Sequence, residues 1–274
     1  MCNSSNKTLL ITNKIFIDID IDIAMAGHSK FKNIMHRKGA QDKKRAKIFS
    51  RLGKEISVAV KSGGPDADSN IRLRSAIISA KSLNMPKDNI ERAIKKGEGN
   101  DPEDNFEEVR YEGYGPGGVA IIAEAMTNNK NRTAAEIRST FSKFGGNLGE
   151  TGSVSFGFKR LGSILLDKKF AKEEELFEFL LENGSEDFEI NDEEYNIYCD
   201  QNELHFLNTK IIDRFGETKS VELIWKSVNN INVEKEAAEK LFKLLNILEE
   251  NEDVQVVSSN FEVSEEILSS LTMQ

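Results

Sequence analysis

Hydrophobic positions along this chain change period more than once, and each change predicts a different kind of element. Over 42–62, Ile48, Leu52, Ile56, Ala59 and Val60 recur at three- and four-residue steps, the pattern of a helix with one apolar face. Ser62-Gly63-Gly64-Pro65 ends it. Asp68 or Ser69 is the expected cap of a second helix, with Leu73, Ala76, Ile77, Ala80 and Leu83 as its apolar set. A third helix opens at Met85-Pro86, turns Ile90, Ala93 and Ile94 inward, and has Gly97 as its expected C-cap.

Beyond about residue 103 strands enter. Segments 108–114 and 119–125 read as strands joined by EGYGPGG, a hairpin connection that needs positive φ, with a phosphate-binding nest as the alternative. A helix is expected over 133–144 with Asn131 as N-cap, then a strand over 153–158. The next stretch reads strand 162–167, helix 172–183, strands 187–191 and 194–200, helix 203–215 and strand 220–227, the ferredoxin-like order. A long amphipathic helix over 234–250 and a strand over 253–258 return to the sheet begun near 108. The predicted class is therefore α+β: a three-helix basic domain (25–100), followed by two ferredoxin-like α/β domains, one (160–230) inserted in the other (103–158 plus 232–262).

The first 24 residues stand apart. Phe16, Ile17, Ile19, Ile21 and Ile23 surround Asp18, Asp20 and Asp22, a period-two pattern that suits an edge strand. The acids break a signal-peptide core and the segment has no Arg, as a transit peptide would. The expectation is an upstream extension without function, ahead of a natural start at Met25.

Charge changes the picture more than composition does. The formal net charge of −9 hides a split. Residues 25–97 hold 18 Lys and Arg against 6 Asp and Glu, whereas 98–274 hold 17 against 37. A basic lobe joined to an acidic one confines polyanion binding to one face. The basic run is densest over 25–51, where His28, Lys30, Phe31, Lys32, His36, Arg37 and Lys38 interleave flat rings with cations. That mixture suits a phosphate backbone with bases stacked on rings. In the first helix Lys43, Lys47, Arg51 and Lys54 fall opposite the apolar stripe, with Lys44 beside them. The expectation is a cationic face turned to solvent. In the acidic half, Lys130 and Arg132 belong to one cationic patch. These fourteen residues are the candidate nucleic-acid ligands.

Other chemistries find little support. Two cysteines and three histidines provide no metal-ligand spacing, and no cofactor motif or small-molecule substrate site is recognised. The chain lacks GxSxG, Walker, HExxH and dinucleotide signatures, so no enzyme is expected. The cysteine usage and the absence of an apolar run near 18 residues read as a cytoplasmic chain without a membrane span. The lone Trp225 is expected as strand core. The Gly97 to Asn105 string, GEGNDPEDN, has linker composition and predicts hinged lobes open to proteolysis.

The strings MAGHSKFKNIMHRKGAQDKKRAKIFSRL, DSNIRLRSAI, NMPKDNIERAIKKG, RYEGYGPGGVAII, NRTAAEIRSTFSKFGGNLG and GSVSFGF occur in order and together resemble the YebC/PmpR family from Met25 to about residue 262. Mitochondrial relatives in that family are translational activators of cytochrome c oxidase subunit one. The resemblance implies three domains, one helical and two α/β. It implies a transcriptional regulatory protein that binds DNA or, alternatively, a ribosome-associated factor that contacts ribosomal RNA and assists elongation through stretches such as proline runs. Phe31 stands where the family usually has Trp, and Gly39 where it usually has Ala. The first 24 residues have no family counterpart. A third possibility, an interaction scaffold working through its acidic domains, stays open beside these two. The basic lobe shows no Gly-turn recognition-helix signature, and its cations with interleaved rings suit irregular RNA slightly better than operator DNA.

Overall fold

The computed structural model of this chain describes residues 41–99, 101, 105–191, 193–264 and 266–268, with side chains from Arg45 onward in the first helix. The expectations for residues 1–40, the extension and the first basic run among them, lie outside the described residues. Helix α1 (Gln41–Gly63) lays Phe49, Leu52, Ile56 and Val60 against α2 (Ile71–Ser82) and α3 (Lys87–Glu98). Ile56, Ala59, Leu73 and Ala80 are fully buried in that core.

Two helix ends differ from expectation, both for tertiary reasons. Asn70, not Asp68 or Ser69, caps α2: its Oδ1 accepts the Leu73 N–H at 3.0 Å. Its Nδ2 donates to Ala59 O at 2.7 Å and Gly64 O at 2.8 Å, so one buried amide closes both the end of α1 and the start of α2. Gly97 lies inside the last turn of α3, and Gly99 caps it. A Cβ at Gly97 would sit 2.6 Å from Val60 Cβ and 2.7 Å from Ser57 O, so that glycine permits the close approach of α3 to α1.

The outer α/β domain is built on β1 (Glu107–Tyr114) and β2 (Ala120–Thr127), an antiparallel hairpin whose connection passes through a 3₁₀ turn at Pro116–Gly118. Gly117 and Gly118 have φ of 77° and 75°, the positive values expected of that turn. Strand β9 (Val254–Ser259) pairs antiparallel with β2, and the two-residue β3 (Asn147–Leu148) with β1, giving the order β3-β1-β2-β9. Helices α4 (Lys130–Lys143) and α7 (Lys235–Glu250) cover one face, burying Ile121, Ala123, Phe141, Leu241, Leu245 and Val257. Asn129 rather than Asn131 caps α4, accepting from Arg132 N–H at 3.1 Å. The opposite face of β2 buries Ala120 and Ile122 with Val154, Phe158 and Trp225. Strand β2 is thus apolar on both faces, which explains its near-continuous AIIAEAM run.

Between β3 and α7 the chain makes a second four-stranded sheet. It comprises β4 (Phe158–Asp167), α5 (Glu173–Glu182), β5 (Ser185–Ile190), β6 (Glu194–Asp200), α6 (Leu204–Phe215) and β7 (Ser220–Ser227). The order β5-β6-β4-β7, antiparallel throughout, is the ferredoxin-like one, while the outer sheet opens on a hairpin instead. The α+β class with a helical domain followed by two α/β layers is the class expected from the sequence. The strand expected over 153–158 is absent. Val154 and Ser155 N–H groups both go to Glu112 Oε2 at 2.9 Å, so this backbone serves a carboxylate rather than a ladder, and the strand starts at Phe158. Short strands β8 (Ile231–Asn232) and β10 (Phe261–Glu262) pair in parallel beside the outer domain.

Candidate nucleic-acid interface

Helix α1 sits at a seam, and the seam rearranges the expected cationic face. Of the fourteen candidate ligands, His28, Lys30, Phe31, Lys32, His36, Arg37 and Lys38 lie outside the described residues. Lys43 and Lys44 fall in the first turns of α1, their side chains outside the described set. The rest of the stripe does not face open solvent. Lys47, Arg51 and Lys54 recur along one side of α1, and that side meets the end of α7 and the 249–253 turn of the outer domain.

Each contact is specific. Arg51 donates from Nη2 to Glu249 O. Lys54 Nζ donates to Asp253 Oδ1 and Glu252 O, both at 2.9 Å, and lies 3.4 Å from Met126 O. The same ammonium stands 5.2 Å over the Phe106 ring. Arg132 reaches the other Asp253 oxygen at 2.6 Å, where Thr133 and Thr127 hydroxyls also donate at 2.8 and 3.1 Å. Lys130 pairs with Glu107. The periodicity located the cations on one side correctly; it gave no sign of what that side packs against.

The electrostatics follow from this packing. Burial pushes the Asp253 carboxyl up, but hydrogen bonds from Lys54, Arg132 and Thr133 with the Lys54 charge outweigh it and hold the pKa at about 2. Lys47 is pushed down to about 8 by burial and by the neighbouring Arg51 charge, which the carboxylates of Glu250, Glu249 and Glu252 only partly offset. Both shifts mark the seam as drier and more charged than a free surface.

On the far side of the helical domain, Lys87, Arg92 and Lys95 stand on the exposed side of α3, opposite Ile90, Ala93 and Gly97. Helices α2 and α3, twelve residues each, are joined by the four residues 83–86 with Asn84 in the left-handed region at φ 57°. Such a short connection with one left-handed residue is the kind found between the helices of a helix-turn-helix, where glycine is the usual signal. Asn tolerates the same conformation, so the sequence concealed it.

A second seam joins the outer and inserted domains. The Arg110 and Arg160 guanidinium groups each stand 5.0 Å from the Trp225 ring centroid, and the ring's Nε1 donates to Glu124 Oε1 at 3.0 Å. Arg160 donates to the other Glu124 oxygen at 2.8 Å. Trp225 is therefore half-buried at a domain boundary rather than in a strand core. Beside it, burial raises the pKa of Glu112, but the N–H groups of the 152–155 loop and Arg110 bring it below the usual carboxylate range. Among the described residues no group of three His, Cys, Asp or Glu has the placement to hold a metal, and no helix is long and apolar enough to cross a membrane.

A model of the TACO1/YebC N-terminal domain matches residues 29–100, and a model of the TACO1/YebC second and third domain matches residues 106–261. The chain belongs to the TACO1/YebC family. The crystal structure of the conserved hypothetical protein Aq1575 from Aquifex aeolicus is similar to this TACO1/YebC chain. It shares 47% identity, with 82% of this chain and 93% of that one covered, at a TM-score of 0.76. The family is regulator-like and is not a known enzyme family.

Proposed function

We propose that this protein is a non-enzymatic, nucleic-acid-binding regulator of gene expression whose helical domain carries the contacts. The observation that supports the reading best is charge segregation within a family-matched architecture. The helical domain carries an excess of twelve positive charges over 25–97, while the remainder from 98 is strongly acidic. Phosphates are drawn to the first and repelled by the second, which orients a polyanion without any base contact. The proposed ligands are the seven residues of the 28–38 run, Lys43 and Lys44 at the start of α1, then Lys47, Arg51 and Lys54, with Lys130 and Arg132 at the outer domain's edge.

Two targets fit. The α2–turn–α3 connection with exposed Lys87, Arg92 and Lys95 favours duplex DNA and a transcriptional role. The spread of cations over several elements, with half of α1 docked, favours irregular RNA and a ribosome-associated role in elongation. Gel shifts on random and genomic duplexes, run beside sucrose-gradient co-sedimentation with ribosomes at physiological salt, test both. A sequence-preferring shift supports the first; ribosome co-sedimentation without one supports the second. Failure to bind either polyanion removes the proposal.

A further inference from the structure

We infer that the 249–253 turn is an intramolecular competitor for nucleic acid: it occupies the phosphate-facing cations of α1, and full polyanion binding requires α1 to release it. The inference rests on the nucleic-acid reading above and adds a regulation to it.

The turn presents the chemistry of a phosphate backbone. Helix α7 ends at Glu250, so Glu249 O is among the final carbonyls that have no partner within the helix. The helix dipole places partial negative charge at that end. Glu250 and Glu252 add carboxylates facing Lys47, and Asp253 adds a third facing Lys54. An ammonium has three protons to donate. Those of Lys54 face three acceptors within 3.4 Å, namely Met126 O, Glu252 O and Asp253 Oδ1, so none remains for a phosphate oxygen. Arg51 gives one Nη2 proton to Glu249 O, and its Nε is buried against the turn without a hydrogen-bond partner, so packing closes it to a phosphate. Docking and phosphate contact therefore exclude one another, at Lys54 because they draw on the same N–H groups and at Arg51 because the turn covers it.

The turn is also built to persist without α1. Asp253 is buried, and its second oxygen is held by Arg132, Thr127 and Thr133, all of the outer domain. Its backbone N–H is bonded to Asn251 Oδ1 at 2.9 Å. When α1 leaves, the acceptors stay in place for its return. That is a reversible latch rather than a segment that folds only on contact.

The test uses the full chain and a fluorescein-labelled twelve-nucleotide single-stranded RNA of mixed sequence, titrated by anisotropy at several salt concentrations. Two opened variants are compared with the parent: E250Q/E252Q, which changes exposed residues, and D253N. A variant with the same charge change at the other end of α7, E234Q/E236Q, is the control. In parallel, acetylation of Lys54 by an N-hydroxysuccinimide ester is followed by mass spectrometry without RNA. The opened variants are expected to acetylate Lys54 several-fold faster and to bind about tenfold more tightly. Freeing Lys47, Arg51 and Lys54 steepens the salt slope by roughly two units, at about 0.7 per phosphate on a single strand. The control matches the parent. RNA bound with the parent's slope and affinity while Lys54 reacts faster overturns the latch alone. Lys54 freed with no RNA bound by any form overturns the nucleic-acid reading, and the latch with it. Unchanged Lys54 reactivity in both opened variants also overturns the latch. If D253N does not fold, E250Q/E252Q decides.

Discussion

Two of the seams in this molecule are made of opposite materials. Between the helical and outer domains, Lys54 and Arg51 meet Asp253 and the carbonyls of Glu249 and Glu252. Between the outer and inserted domains, Ile122, Val154 and Phe158 pack with Trp225, and the charged groups lie around the ring. Apolar contact responds little to NaCl and has no bond direction to satisfy. A charged contact is directional, weakens with ionic strength, and leaves desolvated charge behind when one partner is removed. The difference teaches that the outer and inserted domains share an apolar contact, whereas α1 meets the outer domain through charged contacts that another anion can replace, with the Arg72–Glu108 pair and the Ser75–His205 contact of α2 holding the helical domain beside them.

The comparison breaks most readily at Asp253. Changing Asp253→Ala leaves Lys54 and Arg132 without their shared carboxylate and the Thr127 hydroxyl without its acceptor, while the Thr133 hydroxyl keeps Asn129 O. The expected loss is about 3–5 kcal/mol in urea unfolding monitored by circular dichroism. A loss below about 1 kcal/mol would show that the seam is only surface charge. On the other seam, Trp225→Ala removes a half-buried ring and should cost about 2–3 kcal/mol, somewhat less than a fully buried aromatic. Its cost should be the same in 0.1 M and 1 M NaCl; a strong salt dependence would erase the contrast between the seams.

Acid sharpens the comparison further. Asp253 has a folded pKa of about 2, below the ordinary 3.8. A depressed carboxylate contributes stability that is present above its unfolded pKa and lost as pH falls through the folded one. The parent's advantage over D253N should therefore be constant above pH 4 and shrink by roughly 2 kcal/mol between pH 4 and pH 2. Melting temperatures of the two proteins across that range check it; a constant gap would mean that Asp253 is not ionised in the seam. The smallest effect is expected from salt alone. Raising NaCl from 0.1 to 1 M should weaken the first seam by about 1 kcal/mol or less. Faster proteolysis within the 98–105 string, with the α/β fragment resisting, would report it.

Much of this was legible in the chain. Strands at 194–200 and 220–227, the three short helices and the ferredoxin-like order follow from period and punctuation, which act over a few residues and need no distant partner. The family resemblance was legible too, since its strings are local. Positions whose neighbours come from far along the chain were not. Gly97 looked like a C-cap because a glycine near a helix end usually is one, yet its reason is the Val60 side chain 37 positions away. Asp68 and Ser69 were as good local caps as Asn70, but only Asn70 also reaches Ala59 O on the preceding helix.

The candidate site divides along the same line. Composition alone determined that one lobe is basic and the other acidic, because charge counts do not depend on conformation. Helical periodicity determined that Lys47, Arg51 and Lys54 share a side of α1, because 3.6 residues per turn is set by the backbone. What that side meets was decided only by tertiary structure. The 249–253 turn lies some two hundred residues later in the chain, and two of the groups that hold α1 there are backbone carbonyls, which every sequence contains and none marks. A carbonyl becomes a ligand for a cation only when the helix that owns it ends at the right place, and that is a property of the packed chain.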